Sequence, residues 1–265
     1  LEELELHRRQ VLQSEKLASL GVLASGVAHE LNNPLGNIST SCQILLEELE
    51  TADRPSQREW LSQIDAETER ARRIVRTLLD YSRRRHFSVE RLPLDEVLAK
   101  CLTLVRSELP TREAVTIELP PELVIHGDEQ QLQQVFINLI KNAVDAAGDA
   151  VRIRIGARRG SWRSTQPGRD AHVVGDLSLP HREDAPLVAI TLADNGPGIP
   201  RDRLQKVFDP FFTTSEPGHG VGLGLYIVEE IIQEHGGCIA VECPPEGGTR
   251  FTIWLPCLGQ EEHHD

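Results

Sequence analysis

Between Leu17 and Leu31 one row of apolar residues runs Leu17, Leu20, Ala24, Val27 and Leu31, spaced 3, 4, 3 and 4. That is the a/d seam of a helix packing lengthwise against a second helix. A second helix is expected from about Ser56 to Tyr81, through Trp60, Ile64, Ile74, Leu78 and Leu79, after a turn-rich TADRPSQ that ends the first helix near Glu50. Two such helices lie antiparallel. A lone hairpin of this size leaves apolar surface uncovered, so the expectation is a homodimer through the hairpin, forming a four-helix bundle. Upstream, Leu4 and Val11 are seven apart but in a different register, so residues 1–16 read as a helix that changes phase before the seam begins.

The seam helix contains GVAHELNNPLGNI, with Pro34 in its interior. Proline there removes the bond to the carbonyl of Glu30 and costs about 3 kcal/mol. With Val27 at d, His29 falls at f and faces water, an unusual place for a core histidine. Glu30 follows it directly, and Asn33 lies four residues on, one turn along the same face. A neutral imidazole, with its pKa near 6.5, is nucleophilic at neutral pH, and an adjacent carboxylate can accept the proton of its other ring nitrogen. Pro34 then reads as a weak point that lets His29 meet more than one partner, or as a tolerated kink.

Charge narrows the classes further. Lys and Arg total 28 against 41 Asp and Glu, a formal charge of −13, which disfavours nucleic acid and anionic membrane as partners. No apolar run approaches the roughly 18 residues of a membrane span. The chain starts at Leu1 and contains no Met, and the expectation is a cytoplasmic piece of a longer protein, whose absent upstream part has room for a sensor or a membrane anchor. Five cysteines without a CxxC pair read as reduced thiols used in packing.

After RRRHF the character changes, and a second domain is expected from near residue 91. It should contain a helix from Leu94 to Leu109, short strands in VTIEL and LVIHGD, and a helix capped by Asp128 with Gln131 completing a capping box. That helix presents Leu132, Val135, Phe136, Leu139, Ile140 and Ala143 on one face. Strands in VRIRIGA, LVAITLAD, CIAVEC and RFTIWLP, with the helix GLGLYIVEEIIQEHG, suggest a two-layer α/β sandwich with mixed, largely antiparallel strands. The stretch from Arg158 to Pro186 has little periodicity and reads as a long connection or insertion.

Three motifs lie in this half. NLIKNAVDA puts Asn138 and Asn142 at i, i+4 on one helix with Asp145 nearby; two asparagines on a solvated face would satisfy the same spacing. DNGPGIP sets Asp194 at a strand end, where Gly196 and Gly198 allow close approach to a flat ligand or simply make a turn. GHGVGLGL has glycine at 218, 220, 222 and 224 before an apolar helix, a backbone able to present N–H groups to phosphates or to serve as a linker. It is neither a P-loop nor a dinucleotide fingerprint.

Taken in order, with VFDPFFTTS before the glycines and GGTRFTIWLP at the end, these segments resemble the catalytic core of two-component sensor histidine kinases. GVAHELNNPL resembles the H box, most like the nitrogen-regulation-type members; NLIKNAVDA resembles the N box; DNGPGIP, FDPFFTT and GVGLGL resemble the remaining ATP-site motifs. The resemblance implies an α+β chain: an upstream signalling helix over 1–16, a dimerisation and histidine phosphotransfer hairpin over 17–90, a catalytic ATP-binding domain over 91–258, and a polar tail over 259–265. It implies ATP and Mg²⁺ as cofactors, with Asn142 on the metal and Asn138 supporting the phosphates. Asp194 would accept from the adenine amino group, Gly196, Gly198, Gly220, Gly222 and Gly224 would shape the pocket, and Thr249 would touch the adenine side through water or serve only as a strand residue. His29 would be the phosphorylated nucleophile, Glu30 its orienting base, and Asn33 the group that aims water at a phospho-aspartate. The implied partner is the receiver domain of a response regulator. The alternative is a nucleotide-binding signalling scaffold acting mainly as a regulator phosphatase. Two departures stand out: Ser215 and His219 replace basic residues common in relatives, which leaves less fixed positive charge near the phosphates. The other histidines, His235 among them, read as surface or supporting residues.

Overall fold

The computed structural model describes residues 31–47, 54–82, 87–168, 170–179, 183–213 and 222–257. The chain divides into two compact units, Leu1–Arg84 with Thr213–Leu223, and Arg85–Phe212 with Gly224–Asp265.

In the first unit residues 31–47 form a helix, α1, which runs unbroken through Pro34, and α2 spans Arg54–Ser82. Asn37 Nδ2 donates to Glu67 Oε1 at 2.9 Å. Asn37 lies ten residues before position 47 and Glu67 thirteen after Arg54, so the two helices run antiparallel. Pro34, Ser41 and Ile74 are buried, while Leu35, Leu46, Leu61 and Val75 are exposed. The seam residues Leu17 to Val27 and the phase change upstream lie outside the described residues.

The second unit is a mixed sheet with helices. Its elements are β1 (Glu90–Pro93), α3 (Leu94–Leu104), β2 (Val115–Glu118), β3 (Val124–Gly127), α4 (Glu129–Ala147), β4 (Ile153–Ser161), α5 (Trp162–Thr165), β5 (His172–Gly175), β6 (Pro186–Asp194), α6 (Gly224–Glu234), β7 (Cys238–Glu242) and β8 (Arg250–Pro256). Six strands run in the order β2-β4-β6-β8-β7-β5, and β1 pairs with β3 in a separate ribbon. Among the described residues, only the β2–β4 pair in the large sheet is parallel. Because side chains alternate across a strand, Val188, Ile190 and Leu192 of β6 share a face with Phe251, Ile253 and Leu255 of β8, and all six are buried. α4 buries the six residues its pattern marked, Leu132 through Ala143, and α6 buries Ile227, Val228, Ile231 and Ile232.

Three expectations change. The helix from Leu94 stops at Leu104, not Leu109: Val105 caps it at φ −92°, ψ 9°, and Pro110 disfavours helical backbone just before itself. The capping box at Asp128 is half formed. Asp128 Oδ1 accepts the Gln131 N–H at 3.0 Å, but Gln131 turns its side chain to Glu234, and the Asp128 N–H goes to His235.

The third concerns the stretch after Arg158. β4 continues to Ser161, α5 follows, and β5 pairs antiparallel with β7, giving the sheet a sixth strand. The segment also covers the face of the sheet carrying Trp254. Leu179, Leu187, Ala189, Cys238, Ala240 and Trp254 form a buried cluster with Trp162, Ala171 and Val173 packed on it. Trp254 Nε1 donates to Thr165, both to its carbonyl at 3.1 Å and to its hydroxyl at 3.0 Å. A short strand such as HVVG is set by its neighbour, so periodicity does not reveal it.

Candidate functional site

Asp194 ends β6, and the chain turns there because glycine takes over. Its Oδ1 accepts the backbone N–H of Gly196 at 2.7 Å and of Thr249 at 3.1 Å, and the Thr249 hydroxyl also bonds the carboxyl. Partial burial pushes this carboxyl above its usual range, opposed by those donors. Thr249, itself buried, accepts the Asp194 N–H through its carbonyl at 2.9 Å. Next to it Gly248 has φ +79°, and a Cβ there would stand 1.9 Å from the Asp194 carbonyl oxygen, so no other residue fits.

The two glycines of DNGPGIP do more than turn. A Cβ on Gly196 would meet Asp194 Oδ1 at 2.9 Å and Ala146 Cβ of α4 at 3.4 Å; Gly198, at φ +77°, lies against the Gly248 carbonyl and Cys243. Cys243 is exposed, contrary to its reading as a packing residue, and its thiol takes the Ile199 N–H at 3.1 Å and donates to the Ile199 carbonyl at 3.4 Å. Cys42 is exposed too, whereas Cys101 and Cys238 are buried and burial pushes both thiols up to about 12. Asn195 ties the same turn to the start of β4, accepting the Arg152 N–H at 2.6 Å and donating to the Ala150 carbonyl at 3.0 Å.

At the other end of the site α4 meets α6. Asn138 Nδ2 donates to the Gly224 carbonyl at 3.2 Å, and a Cβ on Gly224 would come within 3.9 Å of Asn142 Oδ1 and 4.0 Å of Asn138 Cγ. Ala146 and Asn138 are eight residues apart, about 12 Å along a helix. α4 therefore links the Asp194 corner to the first turn of α6. Asn138, Asn142, Asp194, Gly196, Gly198, Gly224 and Thr249 gather in one unit. Gly222 is described, with φ +71°; Asn33 sits exposed on α1; His29, Glu30 and Gly220 lie outside the described residues.

Three further residues, not singled out by the sequence, stand in unusual surroundings. Phe211 of FDPFF has φ +67°, a strained backbone for a bulky residue. His172 of β5 lies 6.1 Å, ring to ring, from Phe208; desolvation lowers its pKa while Asp209 raises it. Glu229 of α6 is pushed up to about 7, first by burial and then by Glu230 and Asp209.

The donor set suits a nucleotide. A carboxylate offers about four acceptor directions, so Asp194 can still receive a ligand amino group. Asparagine amides are hard oxygen donors of the sort Mg²⁺ accepts beside phosphate oxygens and water, and glycine at the start of α6 leaves its first turn open to them.

Residues 127–258 match the family described as histidine kinase-, DNA gyrase B- and HSP90-like ATPase, and residues 19–87 match the His kinase A phospho-acceptor domain. The chain is a two-component histidine kinase core. This kinase core is 37% identical over 257 residues to the sensor kinase CckA of Brucella abortus, covering 97% of this chain and 26% of that protein. It is 32% identical over 253 residues to the sensor histidine kinase ZraS of Salmonella typhimurium, covering 94% of this chain and 48% of that protein. The core thus spans about a quarter to a half of the length of these curated relatives. Among solved structures it is similar to the histidine kinase ThkA in complex with the response regulator protein TrrA, at 25% identity and a TM-score of 0.61, covering 91% of this chain and 63% of that one. Among the described residues no helix is long and apolar enough to cross a membrane.

Proposed function

We propose that this core uses ATP to phosphorylate His29 and then passes the phosphoryl group to an aspartate of a response regulator. The observation that carries the reading is the arrangement along α4: a fixed carboxylate at the Asp194 corner beside Ala146, and the amides of Asn142 and Asn138 about one and two turns back along the helix, facing the start of α6. Asp194 orients the adenine amino group, and the glycines around it let the ring lie against backbone. Asn138 and Asn142 face the phosphates, with Asn142 holding Mg²⁺ when bound, which would neutralise charge on the transferring group. One ring nitrogen of His29 forms the N–P bond as the γ-phosphorus to ADP-oxygen bond breaks, and Glu30 takes up the proton of the other nitrogen.

The exposed Leu35, Leu46, Leu61 and Val75 of the hairpin support a homodimer in which a second copy covers them. The regulator bound to ThkA supports a receiver domain as phosphate acceptor. Asn33, exposed and four residues after His29, is assigned to the return step, aiming a water at the regulator's phospho-aspartate.

The test is incubation with γ-labelled ATP and Mg²⁺, followed by acid and alkali treatment. Label that is acid-labile and alkali-stable is expected, lost in His29→Gln while nucleotide binding persists. Acid-labile label remaining on His29→Gln overturns the assignment. Asn142→Asp should impair metal-dependent nucleotide use and leave the helical unit folded.

A further inference from the structure

His235 follows the last residue of α6, is half-buried and takes no part in the phosphoryl transfer proposed above. Its Nε2 accepts the backbone N–H of Asp128, the cap residue of α4, at 3.0 Å, and its Nδ1 donates to the Ile231 carbonyl at 2.7 Å. A backbone N–H can only donate and a carbonyl can only accept, so both bonds require the neutral ring with its proton on Nδ1. Phe87 packs edge-on to the ring, centroids 4.9 Å apart at 84°, and a Cβ on Gly127 would strike Nε2 at 2.6 Å. The ring is thus enclosed by the chain before β1, the end of β3, the cap of α4 and its own helix.

The backbone around it is also fixed. The Gly236 N–H donates to the Gln233 carbonyl and the Gly237 N–H to the Ile232 carbonyl, both at 2.9 Å, with Gly236 at φ +66°, which is a Schellman stop. His235 therefore has little freedom to follow α4 if the helices slide.

Its place relative to the nucleotide groups gives this contact a consequence. Asp128 precedes Asn138 by ten residues on α4, and His235 follows Gly224 by eleven along α6. At about 1.5 Å per residue these are spans of roughly 15 and 16 Å. Since His235 meets Asp128 and Gly224 meets Asn138, the helices are antiparallel and tied at both ends of nearly equal lengths. An axial slide that broke the His235 bond would draw Gly224 away from Asn138.

We propose that His235 is a positioning residue for nucleotide binding, a clamp that holds α6 in register against α4 and so keeps the first turn of α6 beside Asn138 and Asn142. The inference rests on the reading of Asn138, Asn142 and Asp194 as nucleotide groups. It makes binding sensitive to protonation. A proton on Nε2 turns the acceptor into a donor facing the Asp128 N–H and breaks the tie. The charged and titratable groups facing the ring are Asp128 and Glu234, both of which favour the proton, while burial opposes it more strongly and lowers the pKa. The Asp128 carboxylate is already engaged by the Gln131 and Ser88 N–H groups. From the chain before β1 the ring meets Phe87, which carries no charge.

The experiment compares wild type, His235→Gln and His235→Phe by calorimetric titration with ATP and Mg²⁺, well below each protein's melting temperature. Glutamine keeps an acceptor where Nε2 stands; phenylalanine keeps the ring and loses the acceptor. His235→Phe is expected to bind at least tenfold more weakly at pH 7.5, His235→Gln within threefold of wild type. As pH falls from 7.5 to well below the ordinary imidazole value of 6.5, which burial of His235 requires, wild type should lose affinity more steeply than His235→Gln, which carries every other titrating group including those of ATP. Equal binding by folded His235→Phe overturns the clamp. So do parallel pH profiles of wild type and His235→Gln, a comparison that stands even where His235→Phe does not fold. Asp194→Asn, titrated alongside, separates the two ideas: unchanged binding there refutes the nucleotide-site reading, whereas the His235 variants judge the clamp.

Discussion

Asp194 and Thr249 hold each other twice: the Asp194 N–H donates to the Thr249 carbonyl at 2.9 Å, and the Thr249 N–H donates to Asp194 Oδ1 at 3.1 Å. The pair joins the end of β6 to the entry of β8 and fixes a carboxylate at the end of these two central strands. A preset acceptor costs less to bind a ligand than one that must be ordered first.

Asp194→Asn should leave the fold intact, because the amide oxygen can still take the Gly196 and Thr249 N–H groups. The remaining position becomes a donor where a ligand amino group expects an acceptor. ATP affinity should fall at least tenfold, about 1.4 kcal/mol, while GTP, which offers an oxygen at the equivalent ring position, should lose less. Competition titrations with the two nucleotides measure this, and an equal loss for both would refute the assigned contact.

Gly248→Ala should destabilise the second unit severely. The new Cβ would lie 1.9 Å from the Asp194 carbonyl at φ +79°, so both the strand end and the turn must shift. A loss of about 3 kcal/mol or more is expected by urea unfolding, and a change below about 0.5 kcal/mol would contradict the packing described.

Glu229 gives the stability curve a predictable slope. Its carboxyl rises from 4.5 to about 7 in the folded chain, so the folded state holds a proton that the unfolded state has released. Stability from this group is full below pH 4.5 and is lost as pH rises through about 7. Its partial exposure moderates the size, and Glu229→Gln should stabilise the chain by about 1 kcal/mol at pH 8 and have little effect at pH 5. Thermal melts of both proteins across this range check the sign.

Asn33→Ala tests the return step. Labelling of His29 should persist, while loss of phosphate from a phosphorylated regulator should slow at least tenfold, about 1.4 kcal/mol. A parallel fall in both rates would show damage to α1, and two unchanged rates would remove Asn33 from the chemistry.

Among the helices, α2, α4 and α6 were legible from their periodic faces, whereas α3 was read five residues too long and the four residues of α5 were not read as a helix at all. α4 could be read from its six apolar positions and its Asp128 cap, and α2 from the turn-rich segment before it. The long strands of the sheet announced themselves as apolar runs. Asp194, Gly196, Asn138 and Asn142 were singled out because order and spacing made weak motifs specific together. β5 was invisible: its four residues become a strand only beside β7, and the Trp254 cover exists only once that pairing has brought Thr165 and Leu179 over the sheet.

The chain by itself determined most of the longer helices and strands, which glycines interrupt them and which polar residues stand at their ends, since these follow from backbone preference and side-chain period within a few residues. Only the tertiary structure decided that the Asp128 N–H is satisfied by His235 and not by Gln131, that Gly248 presses on Asp194, and that Cys243 holds Ile199. Such contacts join residues 44 to 107 positions apart. They depend on where packing leaves an unpaired donor or a missing Cβ, a competition among distant groups that no local pattern records.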